Sequence, residues 1–117
     1  MIAAPGQLAS RPRDRFDIVP VAKSGANPFS DRISIGRARN CDIILRHPSV
    51  SKLHARFRVG ASLEIVDVGS VNGTSINGRR LDPNRPAQLR VHDTIQLGTL
   101  QAILVDSAAL YELLRAS

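Results

Sequence analysis

Between Ile33 and Val105 apolar and polar residues alternate in short runs, and most runs end on Gly, Pro, Asn or Asp. A period of two is the pattern of strands with one buried face. Residues 15–22 form the first such run, with Phe16, Ile18 and Val21 inward and Pro20 marking an edge or a bulge. Residues 24–31 carry Gly25, Asn27 and Pro28 and predict a loop. Strands follow over 32–36, with Ile33 and Ile35 on one face, and over 42–45. Residues 54–60 alternate, placing Ala55, Phe57 and Val59 inward and Arg56 and Arg58 outward. Residues 62–68 are the hairpin partner, turned at Gly60-Ala61. Polar loops occupy 37–40, 46–53 and 67–73. Residues 74–81 predict a small hairpin, because Asn77-Gly78 suits the positive φ angles of a type I′ turn. Residues 82–86 are loop, and 94–97 with 100–105 close the structure around Gly98. Ser107 can cap a last helix with Leu110, Leu113 and Leu114 at helical spacing. Residues 1–14 mix Pro, Gly, Ala, Ser and Arg without period and predict a mobile tail.

The pattern predicts an all-β sandwich of about ten to eleven short strands with a C-terminal α-helix. The division is a tail over 1–14, a sandwich over 15–106 and a helix over 107–117. A chain of 117 residues fits one domain, and 43% hydrophobic with 22% charged is a globular balance. Aromatics make up only 3%, without Trp, so the core must be aliphatic. Single-stranded nucleic acid, which needs stacking platforms, is correspondingly disfavoured. The formal charge of +6 asks for an acidic partner. The single Cys41 cannot form an internal disulfide, which fits a reducing compartment such as the cytoplasm; beside an apolar strand it reads as a packed thiol. No charged, apolar leader and no membrane-spanning run is visible.

Three polar loops hold the candidate chemistry. Arg37, after Gly36, offers a guanidinium suited to forked bonds with phosphate or carboxylate. Ser51 offers a hydroxyl, with Lys52 beside it and His54 three residues on. Asn72 offers an amide in the turn Asn72-Gly73-Thr74. Taken singly, each has a plain reading: a solvated arginine, a turn serine, a structural imidazole, an asparagine bonding its own backbone. Ser51 with His54 as base is the catalytic alternative, but no G-x-S-x-G elbow surrounds Ser51 and no carboxylate is placed to orient the ring. His47 and His92 have no metal-ligand spacing with His54, and no cofactor motif occurs. Arg56, Arg58, Arg79 and Arg80 could instead build a patch for nucleic acid.

The order Gly36-Arg37, Ser51-x-x-His54, Asn72-Gly73-Thr74 and Asn77-Gly78 resembles the forkhead-associated (FHA) family, a phosphothreonine-binding module. The resemblance covers about residues 33–105. It implies that Ser51 binds phosphate alongside Arg37 and Lys52, that Asn72 bonds the peptide main chain, and that His54 braces the phosphate loop from beneath. Gly36, Gly73, Thr74, Asn77 and Gly78 are expected to support the site, the last two through hairpin chemistry alone. Val71 departs from the family, where a hydroxyl-bearing or basic residue is common. The implied function is a phosphothreonine adaptor and not an enzyme. Its partner is a threonine-phosphorylated protein supplied in trans, since the tail before residue 15 has Ser10 but no Thr. Ser49 is uncharged, so no reader of an acidic flanking residue is evident. A scaffold that binds protein without phosphate is the alternative that Val71 suggests.

Overall fold

A computed structural model of the chain describes residues 2–5, 16–19 and 32–106. Eleven strands run through them: β1 (Ile2–Pro5), β2 (Phe16–Val19), β3 (Arg32–Gly36), β4 (Ile43–Ile44), β5 (Ala55–Val59), β6 (Leu63–Asp67), β7 (Thr74–Ile76), β8 (Arg79–Arg80), β9 (Ala87–Gln88), β10 (Thr94–Leu97) and β11 (Leu100–Leu104). They form a six-stranded sheet in the order β2-β1-β11-β10-β7-β8 and a five-stranded sheet in the order β4-β3-β5-β6-β9.

The alternation in the sequence becomes rows of side chains across each sheet. In one sheet Ile33 stands opposite Phe57, Phe57 opposite Ile65, and Ile65 opposite Ala87. In the other, Ile95 stands between Ile76 and Ala102. The two rows meet in one aliphatic core around Phe57, which is fully buried. Truncating that ring to Ala would cost about 3–5 kcal/mol.

Several expectations change in detail. Four residues of the stretch read as a tail, Ile2–Pro5, pair as β1 between β2 and β11. A run this short shows no periodicity by itself; its order comes from the ladder of its neighbours. The rest of residues 1–14, and the helix expected after Ser107, lie outside the described residues. Val59 is 52% exposed, not buried inward: it is the last residue of β5, next to the exposed 60–62 turn. The two-residue β9 went unread, since so short a strand leaves no alternation to see. Cys41 is buried, with Sγ against the carbonyl of Lys52 at 3.2 Å, and burial raises its thiol pKa.

Candidate functional site

The β3–β4 loop is pressed onto the loop that leads into β5. Arg37 N–H donates to the Ser51 carbonyl and Ala38 N–H to the Lys52 carbonyl, both at 3.0 Å. The approach is so close that a Cβ on Gly36 would sit 2.3 Å from the Lys52 carbonyl oxygen. Only glycine fits there. Arg37 Nε donates to the Val50 carbonyl at 3.0 Å, which fixes the plane of an otherwise exposed guanidinium.

His54 is fully buried beneath these loops. Its Nδ1 accepts the Ser51 N–H at 3.0 Å, and its Nε2 lies 2.9 Å from the Gly73 carbonyl. One nitrogen must accept and the other must donate, so the ring is neutral with its proton on Nε2. Burial pulls its pKa below the ordinary 6.5, outweighing the upward pull of the Gly73 carbonyl and Asp67. The imidazole therefore ties the Ser51 loop to the Asn72 loop. It does not contact the Ser51 hydroxyl through any hydrogen bond among the described residues, so no serine–base pair is formed.

The Ser51 hydroxyl accepts the Val71 N–H at 3.0 Å and keeps its own proton to donate. Asn72 Nδ2 donates to the Ser49 carbonyl at 2.9 Å, which leaves its Oδ1 and second N–H for a ligand. Arg37, Ser51 and Asn72 are thus joined through the segment 49–51 at one end of the sandwich. Lys52 is exposed in the same loop, and Val71 is 84% exposed beside Asn72.

A second latch escaped the sequence reading. Asp67, 2% exposed at the end of β6, accepts from the Ser70 and Thr74 hydroxyls and from the N–H groups of Gly69 and Ser70. The Ser70 hydroxyl in turn accepts the Gly73 N–H at 3.0 Å. Burial pushes the Asp67 carboxyl up, but the hydrogen bonds overcome it and hold the pKa below 3.8. Asp followed at two and three residues by Gly and Ser is a turn pattern that could have exposed it. Thr74 is thereby bonded to the Asp67 carboxylate at the start of β7. Asn77 does more than turn a hairpin: with φ of 50° before Gly78 at 82°, it donates to Asp93 Oδ1 and accepts the Thr94 N–H. Ser49 is taken up internally, its hydroxyl meeting His47 Nδ1 at 2.8 Å and accepting the Thr99 N–H at 2.9 Å. The four arginines of the nucleic-acid reading are divided. Arg56 and Arg58 lie on β5 in one sheet, where Arg58 faces Glu64, and Arg79 and Arg80 lie on β8 at the edge of the other.

A sandwich whose polar loops are bonded together at one end, with a guanidinium and a hydroxyl left over, has the build of a β-sandwich recognition module. The chain belongs to the FHA domain family, whose model matches residues 33–98. It is 35% identical over 95 residues to an oxoglutarate dehydrogenase inhibitor of Corynebacterium jeikeium, covering 75% of this chain and 64% of that protein. It spans about half, 51%, of the corresponding inhibitor of Corynebacterium efficiens. Among solved structures it resembles the FHA domain of the CT664 protein from Chlamydia trachomatis, with a TM-score of 0.60 and 32% identity over 64% of this chain and 76% of that one. It also resembles Mycobacterium tuberculosis EmbR in complex with a low affinity phosphopeptide, with a TM-score of 0.58 and 26% identity over 66% of this chain and 21% of that one.

Proposed function

We propose that this chain is an adaptor that captures a phosphorylated threonine of another protein. Arg37, Ser51 and Lys52 take the phosphate, and Asn72 holds the adjoining main chain. The observation that carries this reading is that the three loops are bonded together at one end: His54 joins the Ser51 and Asn72 loops, and the Val50 carbonyl holds the Arg37 guanidinium beside the Ser51 hydroxyl. The phosphopeptide bound to EmbR supports the ligand class. A phosphate brings close to two charges and three acceptor oxygens. Hydrogen bonds to a charged group contribute about 1.5–3 kcal/mol each, so the phosphate decides between bound and free. With little further area, affinity on the order of micromolar follows.

None of the threonines in this sequence can serve as its own ligand without opening the sandwich. Thr74 is buried on Asp67, and Thr94 and Thr99 belong to β10 and the turn after it. These three are therefore not its ligand, and on this reading the phosphothreonine comes from another protein. The single, buried Cys41 is in keeping with work in the cytoplasm. No catalytic step is assigned, because His54 spends both ring nitrogens on backbone groups.

Fluorescence anisotropy with a phosphothreonine peptide library tests the reading. Selected peptides should lose binding when the phosphate is removed. Arg37→Ala should weaken them at least tenfold while leaving the melting temperature unmoved, because its side chain lies outside the core. The 84% exposure of Val71 favours a second reading, a phosphate-independent protein contact. Equal binding before and after phosphatase treatment would establish that one instead.

A further inference from the structure

Arg80 is a further guanidinium that reaches the Asn72-Gly73 turn. It sits on β8, the edge strand that the Asn77-Gly78 turn folds back against β7. Its backbone is opposite Ser75, two residues beyond Gly73. From there the side chain reaches up to the Asn72-Gly73 turn. The ideal Cβ position of Gly73 lies 2.7 Å from Arg80 Cζ, 2.8 Å from one terminal nitrogen and 2.9 Å from Nε. Three atoms of one plane at nearly one distance mean that the face of the guanidinium, not its edge, covers this glycine. Any side chain at position 73 would displace it. Gly73 thus serves both the turn, with φ of 86°, and the placement of Arg80.

The hairpin that carries Arg80 is itself held. Asn77 is bonded to Asp93 and Thr94, and the Leu81 N–H donates to the Thr74 carbonyl. The nearby carboxylates are committed elsewhere. Asp82 pairs with Arg85 at 3.6 Å, and Asp93 accepts from Asn77 and from the Arg90 N–H. Among the described residues no hydrogen bond or ion pair engages the Arg80 guanidinium, and the residue is exposed. A guanidinium fixed by its face keeps its N–H edges for a planar anion.

A continuous path of contacts links the two arginines: Arg37 to Val50, Ser51 to Val71, Asn72 to Ser49, and Gly73 to Arg80. Asn72 lies between them. We infer that Arg80 is a specificity residue that reads a second anionic side chain, on the Asn72 side of the phosphothreonine. The partner class is then a segment with two separated negative groups, the phosphothreonine and an aspartate, glutamate or second phosphorylated residue. This rests on the phosphothreonine reading above and extends it to the flanking sequence. It also supplies the reader of an acidic flank that Ser49, bonded to His47 and Thr99, does not provide.

The test is a peptide set with one phosphothreonine in an alanine background and Asp, Glu, phosphoserine, Ala or Lys placed at each flanking position in turn. The parent chain should bind the acidic peptides about fivefold more tightly than the Ala peptide at one position and on one side only, the scale of an exposed ion pair. The Glu and phosphoserine arms show which source of the anion is preferred. Arg80→Ala should bind Asp and Ala peptides alike at that position, and Arg80→Glu should come to prefer Lys there. Thermal melts confirm that both variants fold. Phosphopeptide binding by the parent with no acidic preference, or a preference that survives Arg80→Glu, overturns the role of Arg80 alone. If no phosphothreonine peptide binds at all, the underlying reading falls and takes this one with it.

Discussion

The two ends of β6 are built on opposite principles. At its start, residues 60–62 turn back from β5, all three exposed, with Val59 exposed beside them and one loose ion pair, Arg58 to Glu64 at 3.9 Å. At its end, Asp67 gathers the loop from Gly69 to Thr74 with four hydrogen bonds, and His54 ties that loop to Ser51. The first turn joins two paired strands of one sheet, and the second crosses from β6 to β7 in the other sheet. The first only reverses the chain. The second buries a carboxylate and an imidazole, groups that are costly to desolvate unless every partner is in place. Such expense in polar satisfaction marks the end where a loop must hold one shape.

Removing His54 should break this contrast most severely. His54→Ala strips the Ser51 N–H and the Gly73 carbonyl of their partner and opens a hole in the core. A loss of about 3 kcal/mol is expected in chemical denaturation. Phosphopeptide affinity should fall with it in the fraction that remains folded. A variant that melts like the parent would show that the imidazole is not the brace.

Acidification should loosen the same end by degrees. His54 is depressed below 6.5 in the fold, so above that pH both states are neutral and the contribution is complete. As pH falls below 6.5 the unfolded chain takes up a proton that the folded ring refuses, and stability drops until the lower folded value is passed. Asp67 acts in the same direction lower down, its contribution being lost as pH falls below 3.8 and then through the depressed folded value. The melting temperature should therefore decline between pH 7 and 5, and the decline should flatten in His54→Gln. An equal slope in that variant would assign the effect elsewhere.

The hairpin tip should scarcely respond. Val59→Thr keeps the β-branched shape at an exposed position, so a change within about 0.5 kcal/mol is expected from the same denaturation curves. A larger cost would mean that this end, too, is packed against something.

The contrast also explains what could be read in the chain. Ile33, Ile35, Phe57 and Ile65 announce their face by alternation, because burial of one side of a strand is a property of single residues at fixed spacing. Arg37, Ser51, His54 and Asn72 were legible as a set of types in an order. Their junction through His54 was legible only by resemblance. The Asp67 latch was passed over because its partners are ordinary turn residues, and only their simultaneous geometry gives them a role. Val59 was misplaced because alternation says which face a residue takes and not whether the core extends that far. Arg80 could not be placed at all from sequence, since nothing in two adjacent arginines says that one will lie flat on a glycine.

One further property follows from the lengths of the outermost strands. Of the four sheet margins, β4, β8 and β9 are each two residues long. An edge invites another polypeptide in proportion to the row of unpaired N–H and C=O groups it presents. Three of these margins present almost none, so a second copy finds no ladder long enough to extend at them. Crowding many such modules on a scaffold should therefore leave β2, four residues long, as the longest margin among the described strands at which a neighbouring copy could pair.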